Sequence, residues 1–598
     1  MDEAAPSALP PPKSAEDRLN SWKEIAAYLN RDVTTVQRWE KREAMPVCRH
    51  LHDRSGSVYA FRSELDAWIR SRSPVAPEEN GNAGALSTVV TPTSVTGLSR
   101  RRWAWFLGLA AVAVAVGLAI ILSWMAKRRS PDVGGARAIE SIAVLPLDNL
   151  SRDPEQEYFS DGMTDALITQ ISKTGAIHLT SRTSVMSYKG THKSLPEIAK
   201  ELNVDAVIEG SVMRAGDRVR IAVQLIDTRT DRHLWAETYD RDLGDVLRLQ
   251  SEVAEAVAQQ IQMQLPPGQQ ARLRSVPIVN PQAYEAYLKG RFYAFAGTRA
   301  ALKRAQGYYE DSVRKDPTFA LAYAGLADCF LDQGAFRQIP PRDAYREASG
   351  AIQKALELDR GLSEGHNSLG YMNWQFAWEW RAAEQELRYA VELNPSSVEA
   401  HETLVWFLAW SDRRDEALAE VEKIRQIDPA YPFIPLEEAG VYYHLRDYKS
   451  LVEAGGKSAA GYPNGWQSHY FLAVGYEGLR RPAQAIPEYQ RAVELSENDS
   501  DAMAGLAHAY SAIGRGNEAE KILRQLQTQS KTEYVSPYML GVIYAGLGNN
   551  DRAFELLESA YQEKSSDIAY FIKADLRLNS LRSDPRFQDL LQRMSLPN

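Results

Sequence analysis

At 598 residues the chain is too long for one core, so several domains are expected. A charged fraction of 25% and a formal net charge of −9 exclude both a uniformly basic nucleic-acid coat and a dedicated acidic tail. Its two cysteines, Cys48 and Cys329, cannot form a disulfide framework, so the fold must hold without one.

Residues 1–18 read as a disordered tail, and residues 19–72 as a small domain. In "SWKEIAAYLNRDVTTVQRWEKREAMPV" (Ser21–Val47), Trp22, Ile25, Ala26 and Leu29 recur at helical spacing. Asn30 and Arg31 turn the chain, and Asp32 can cap a second helix that carries Val33, Val36 and Trp39 inward. Thr34, Thr35, Gln37, Arg38 and Lys41 then project outward, a mixture of hydroxyl, amide and cation that suits a major groove. Glu40 and Glu43 place opposing charge nearby. Pro46 ends the helix, and "VYAFRSELDAWI" (Val58–Ile69) reads as a strand followed by a helix. Cys48, His50 and His52 alternate as on a strand face, but no second ligand pair accompanies them, so no metal site is expected.

This order resembles the winged helix-turn-helix of the excisionase and MerR-type families, through Trp22–Leu29, Asp32, Thr35-Val36-Gln37-Arg38-Trp39, a wing over Arg49–Phe61 and a closing helix over Ser63–Ile69. The resemblance implies that Thr34, Thr35, Gln37, Arg38 and Lys41 touch DNA, with Arg49 and Arg54 on the wing. A helical head that binds protein instead is the alternative.

Residues 73–102 read as a flexible linker; within it Ser73–Ser99 is rich in Pro, Gly, Ser and Thr, and a tether of about 27 residues reaches about 30 Å. Residues 103–126 are almost wholly apolar, flanked by Arg100–Arg102 and Lys127–Arg129, with Trp103, Trp105 and Trp124 near the ends. That pattern predicts a single transmembrane helix. The flanking charges balance, so orientation follows from function: a DNA-reading head places the amino terminus in the bacterial cytoplasm and the carboxyl part outside the inner membrane. Ala111, Ala115 and Ala119, and Ala113 with Gly117, form small-residue tracks through which two spans could pack as a homodimer.

Residues 138–267 alternate strand and helix signals, with "AIHLTSR" (residues 176–182) read as a strand and a hairpin turn at Ala215-Gly216-Asp217, and predict a sheet covered by helices. The segments "IAVLPLDNLSRDPEQEYFSDGMTDALITQIS", "ELNVDAVIEGSVMRAGDRVRIAVQLIDT" and "HLWAETYDRDLGDVLRLQSEVA" resemble the front domain of TolB and of bacterial cyclase-like regulators that end in helical repeats. The resemblance implies a sensory or assembly module. Asp161, Asp165, His178, His192, Glu209 and His233 are scattered without catalytic or metal-ligand spacing, so neither an enzyme nor a cofactor is expected.

Residues 280–590 show a 34-residue step: Ala473, Ala507 and Gly541; Tyr476, Tyr510 and Tyr544; Ala485, Ala519 and Ala553; Tyr489, Leu523 and Leu557. Small residues where helices touch and large ones where they fill grooves, at this period, are the tetratricopeptide signature. Looser copies follow Tyr293-Ala305-Pro317, Val405-Ala417-Pro429, and Gly370-Ala382-Pro395 with one extra residue; an insertion is expected between Phe330 and Tyr345. Seven or eight units are predicted, stacked around a concave surface that takes a protein partner. Trp374, Trp378, Trp380, Trp406 and Trp410 are dense there, chiefly as core, with the rest as groove anchors. The predicted fold class is multidomain: a small winged helix-turn-helix, a single transmembrane helix, an α/β domain and an all-α tetratricopeptide superhelix. The predicted function is a membrane-anchored one-component regulator that binds promoter DNA; the alternative is a membrane-tethered scaffold.

Overall fold

In the computed structural model the described residues are 18–19, 21–29, 31, 33, 35–37, 40, 45–49, 58–62, 65, 66, 68, 139–151, 153–173, 177–261 and 279–596. The chain divides into two compact units, Met1–Ser130 and Pro131–Asn598.

The first unit forms because a few apolar side chains find one another across short elements. Strand β1 (Arg18–Leu19) and strand β2 (Cys48–Arg49) flank strand β3 (Val58–Phe61) in an antiparallel sheet. Helix α1 (Trp22–Tyr28) is capped by Ser21, whose Oγ accepts from the Glu24 N–H at 3.2 Å. Val33, Thr35, Val36, Gln37 and Glu40 are helical. Ile25, Ala26, Val36, Met45, Val58 and Leu65 are buried together in one core. β1 adds an edge that the sequence pattern assigned to the tail boundary: Leu19 is buried, and the Arg18 guanidinium stacks 3.9 Å from the Tyr59 ring.

The second unit opens with a six-stranded sheet. Its strands are β4 (Ser141–Val144), β5 (Asp148–Asn149), β6 (His178–Leu179), β7 (Ala206–Ala215), β8 (Arg218–Asp227) and β9 (Arg232–Asp242). The order is β6-β4-β7-β8-β9, with β5 also on β7; β4 runs parallel to β6 and β7, and β7-β8-β9 is an antiparallel meander. Gly216 supplies the positive φ at the β7–β8 turn. Gly210 on β7 is needed for close approach, since a Cβ there would lie 2.1 Å from the Ala222 carbonyl oxygen. Helices α2 (Glu157–Ser172), α3 (Arg182–Met186), α4 (Leu195–Leu202) and α5 (Val246–Gln260) cover the sheet. The predicted strand "AIHLTSR" is only two residues long and turns directly into α3, because Ser181 caps that helix through the Ser184 N–H.

The rest of the unit is a succession of antiparallel helix pairs, from Pro281–Phe295 (α6) with Arg299–Lys315 to Pro537–Gly546 with Asn550–Gln562, eight pairs among the described residues. The 34-step positions behave as their sizes demand: Ala473, Ala485, Ala507, Ala519 and Ala553 are fully buried, as are Tyr489 and Leu557. In the third pair the buried small residue is Ala383, not Ala382, because the extra residue is absorbed in a π-helical turn, Asn373–Ala377, followed by Trp378 at φ 64°. The expected insertion is a longer loop, residues 336–340, which carries Arg337 at φ 59°.

This is a largely helical tetratricopeptide-type superhelix with a sheet domain, and the predicted transmembrane helix is corrected. Among the described residues no helix is long and apolar enough to cross a membrane. The longest, Pro341–Leu358, has 18 residues but carries Arg342, Asp343, Arg346, Glu347, Lys354 and Glu357, as an amphipathic solenoid helix does. The run 103–126 lies outside the described residues, and with it the tracks Ala111, Ala115, Ala119, Ala113 and Gly117. The inner-membrane localisation, the membrane partner and the homodimer through that span lose their basis accordingly.

Candidate functional site

Of the residues expected to touch DNA, Thr34, Arg38, Lys41 and Arg54 lie outside the described residues. Thr35 and Gln37 are helical and half-buried, on the segment that places Val36 in the core. Arg49 sits on β2, paired in register with Val58 of β3, which places it on the hairpin expected to form the wing. His50 and His52, named beside Cys48 in the discarded metal reading, also lie outside the described residues.

In the second unit, polar chemistry concentrates where the sheet domain meets the solenoid. α2 packs on α6, and Tyr158 donates to Glu285 Oε1 at 2.8 Å while Arg214 donates to Glu285 Oε2 at 2.8 Å. These donors, with Lys289, hold the Glu285 carboxyl down at about 2 against the opposing pull of its own burial. Arg291 of α6 pairs with Asp165 of α2. From the far side, Asp428, between the fourth and fifth pairs, accepts from the Ser181 N–H at 3.0 Å and from Ser184 Oγ at 2.7 Å. Asp165 and Asp161 are therefore structural ion-pair members, Asp161 with Lys189 at 2.5 Å. Asp428→Ala leaves the Ser181 N–H and Ser184 hydroxyl buried without an acceptor; a loss of about 1–3 kcal/mol is expected, read as faster amide exchange across α3.

A cavity of about 280 Å³ lies in this seam. Its sheet-side wall carries Arg182, 9% exposed, whose guanidinium stacks 3.9 Å from Phe295 and whose Nε has no partner. Its solenoid-side wall carries Glu364 and Asn367, each with an unpartnered oxygen, and Asp328, which burial pushes up to about 6. A small polar guest there would touch both layers.

The solenoid also closes on itself. Arg337 donates to Asp499 at 2.8 Å and to Asp567 at 2.6 Å. Trp410 Nε1 donates to the Ala569 carbonyl at 2.7 Å, and Arg446 to the Ala574 and Lys573 carbonyls. Arg577, 1% exposed, grips Asp575 with two nitrogens at 2.9 Å and Asp501 at 3.0 Å. Part of the concave face expected to be open is thus filled by the chain's own Ser566–Phe571 segment. Trp374 and Trp410 are buried, as core. Trp378 and Trp380 stack at 6.2 Å, and Trp406 lines a groove cavity.

A second regularity escaped the sequence reading. His366, His401 and His469 each place Nδ1 against a glutamate of the following helix, Glu386, Glu420 and Glu488, at 2.6–2.7 Å, and Nε2 against a backbone carbonyl six residues earlier. The signal was present as histidines at nearly the repeat step, each followed by Glu 19 or 20 residues on.

Comparison with known proteins gives two family matches. Residues 138–256 match the HilA/YgeH-like transcriptional regulator, second domain, and residues 478–535 match the tetratricopeptide repeat. The chain thus carries a regulator-type domain and tetratricopeptide repeats. It is 36% identical over 248 residues to "Putative adenylate cyclase 3" of Rhizobium meliloti, 41% of this chain and 42% of that one. It is 29% identical over 180 residues to "Anaphase-promoting complex subunit 6" of Arabidopsis thaliana, 28% of this chain and 32% of that one. The chain therefore spans less than half the length of either. A tetratricopeptide repeat protein from Parabacteroides merdae is similar at TM-score 0.32 and 16% identity, over 42% of this chain and 93% of that one. The APC/C hetero-tetramer Cut9–Hcn1 is similar at 0.37 and 13%, over 58% and 63%.

The cyclase-named relative overturns the expectation that the chain is not an enzyme. That expectation rested on the spacing of acids and histidines along the sequence, whereas catalytic groups meet in space and need no telling spacing.

Proposed function

We propose that the chain is a DNA-binding transcriptional regulator whose head reads DNA and whose repeats hold a protein partner. The observation that carries this reading is the head's own core: Ile25, Val36, Val58 and Leu65 pack α1, the helical segment through Glu40 and the β2–β3 hairpin against one another. That is the framework a winged helix-turn-helix needs, with the outward face of the second helix left for a major groove. In this reading Thr34, Thr35, Gln37, Arg38 and Lys41 meet bases and phosphates, and Arg49 and Arg54 meet the backbone from the wing. The regulator-type match over residues 138–256 supports it; the strand–helix order behind the TolB likeness is that of the same domain. The Asp428, Arg291 and Arg214 contacts let a partner on the repeats be felt by the sheet domain.

The test is a gel shift with the full chain on genomic fragments. Arg38→Ala is expected to cost about 1–3 kcal/mol of binding to the preferred site and to lower the salt dependence. Equal retention of random and genomic DNA, unchanged by Arg38→Ala, overturns the reading. It would leave the second one, a protein-binding scaffold, which the repeat match favours.

A further inference from the structure

A second cavity, of about 530 Å³, opens along the solenoid groove between the third and fourth helix pairs on one side and Trp466–Gly478 and Ser566–Phe571 on the other. Its wall is aromatic: Trp374, Trp406, Trp466, Tyr470 and Tyr570 line it, with Trp406 6.0 Å from Tyr570 and Trp374 5.9 Å from the same ring. Two glutamates enter that wall. Glu437 is 3% exposed, and its Oε2 has no hydrogen-bond partner. Glu402 accepts from the Tyr431 hydroxyl at 2.5 Å.

Among the described residues no cation pairs with either carboxylate. The groups acting on them are each other, Glu399, Tyr431 and Trp406. Arg337, the cation that lines the cavity, is already engaged by Asp499 and Asp567. Burying two carboxylates side by side without a counter-charge is costly, and the negative faces of the rings add to the same potential. Burial, with the Glu399 charge beside it, accordingly pushes Glu402 above the ordinary carboxylate range, and burial with the Glu402 charge pushes Glu437 well above it. A hard metal ion is a poorer answer, because calcium or magnesium needs a shell of six or more oxygens, and of the aspartates that also line the cavity, Asp567 and Asp501 already hold Arg337 and Arg577, which leaves Asp332. A weakly hydrated organic cation answers both features at once.

We propose that this cavity binds an alkylammonium group, with Glu437 and Glu402 as its counter-charges and Trp406 and Tyr570 as its cation–π walls. The group could belong to a small free amine or to a lysine side chain on a bound peptide, and the proposal stands whether or not the head binds DNA. The test is calorimetric titration of the full chain at pH 8 with n-butylammonium, with n-butanol as its neutral analogue, and with a capped Gly-Lys-Gly peptide beside its N-acetyl-lysine counterpart. Saturable binding of an ammonium probe at least about tenfold tighter than its neutral analogue is expected. Glu437→Gln, which keeps the shape, is expected to weaken it at least about tenfold at an unchanged melting temperature. If that variant does not fold, Glu402→Gln serves in its place. Tighter binding of the lysine peptide assigns the source as a peptide, and tighter binding of butylammonium as a free amine. No saturable binding of either probe, equal binding of the neutral analogues, or a glutamine variant that folds and binds as the parent does, overturns the proposal.

Discussion

Arg337→Met is expected to destabilise the second unit by about 3–5 kcal/mol, seen as a lower midpoint in urea unfolding. Three side chains make the clasp, and all are nearly out of water: Arg337 at 6%, Asp499 at 8% and Asp567 at 3% side-chain exposure. Removing the guanidinium strands two carboxylates in a low-dielectric interior, and that penalty, rather than the worth of the pair, sets the size of the effect. Adding Asp499→Asn and Asp567→Asn to the Arg337→Met chain is therefore expected to restore much of the loss, the non-additivity of residues that share one ion-pair network. If Arg337→Met unfolds within about 0.5 kcal/mol of the parent, the clasp does not hold the solenoid closed.

The second large effect is expected in acid. His444 is 5% exposed, and neither ring nitrogen has a hydrogen-bond partner; it sits edge-on to Tyr570 at 4.7 Å and to Tyr443 at 5.0 Å. Burial, then the nearby Lys573 charge, holds its pKa down at about 3. The folded state thus refuses a proton that the unfolded chain takes near pH 6.5. Stability is unaffected above pH 6.5 and falls progressively between 6.5 and 3, as the unfolded chain binds the extra proton. At pH 4.5 the difference amounts to about 3 kcal/mol. His444→Phe is expected to flatten this limb of the stability–pH curve and leave the neutral range unchanged or improved. Parallel curves for the parent and His444→Phe between pH 7 and 4.5 would show that His444 does not carry the acid sensitivity.

Much of the solenoid was legible in the sequence because its signal is periodic and depends on size. Ala485, Ala519 and Ala553 sit where only a methyl fits, and the structure buries all of them. What periodicity cannot carry is contact between distant repeats. Arg337 reaching Asp499 and Asp567, or Ser181 reaching Asp428, leaves no trace at a fixed spacing. The one-residue slip at Ala382 has the same origin, since a π-turn is a local repair that a pattern of types does not announce. Strand length was overestimated at "AIHLTSR" because the capping hydroxyl of Ser181 decides for helix where apolar alternation suggested strand. In the head, the core positions Ile25 and Val36 followed from helical spacing, whereas β1 is too short to show a period. The Glu402–Glu437 pair was invisible in sequence because what marks it is a missing counter-ion, and that is a property of space.

The closure of the solenoid has a consequence for how the molecule comes apart. An open row of repeats melts from its ends, each unit leaning only on its neighbours. Here the eighth helix pair and the turns after it are stitched to the second, third and fourth, so no unit can peel away without tearing ties elsewhere. The segment that closes the solenoid, Ser566–Phe571 with Arg577, follows all eight helix pairs in sequence. Until that segment docks, the aromatic interior around Trp374 and Trp410 has no lid, and a partly folded chain without it exposes apolar rings to other chains.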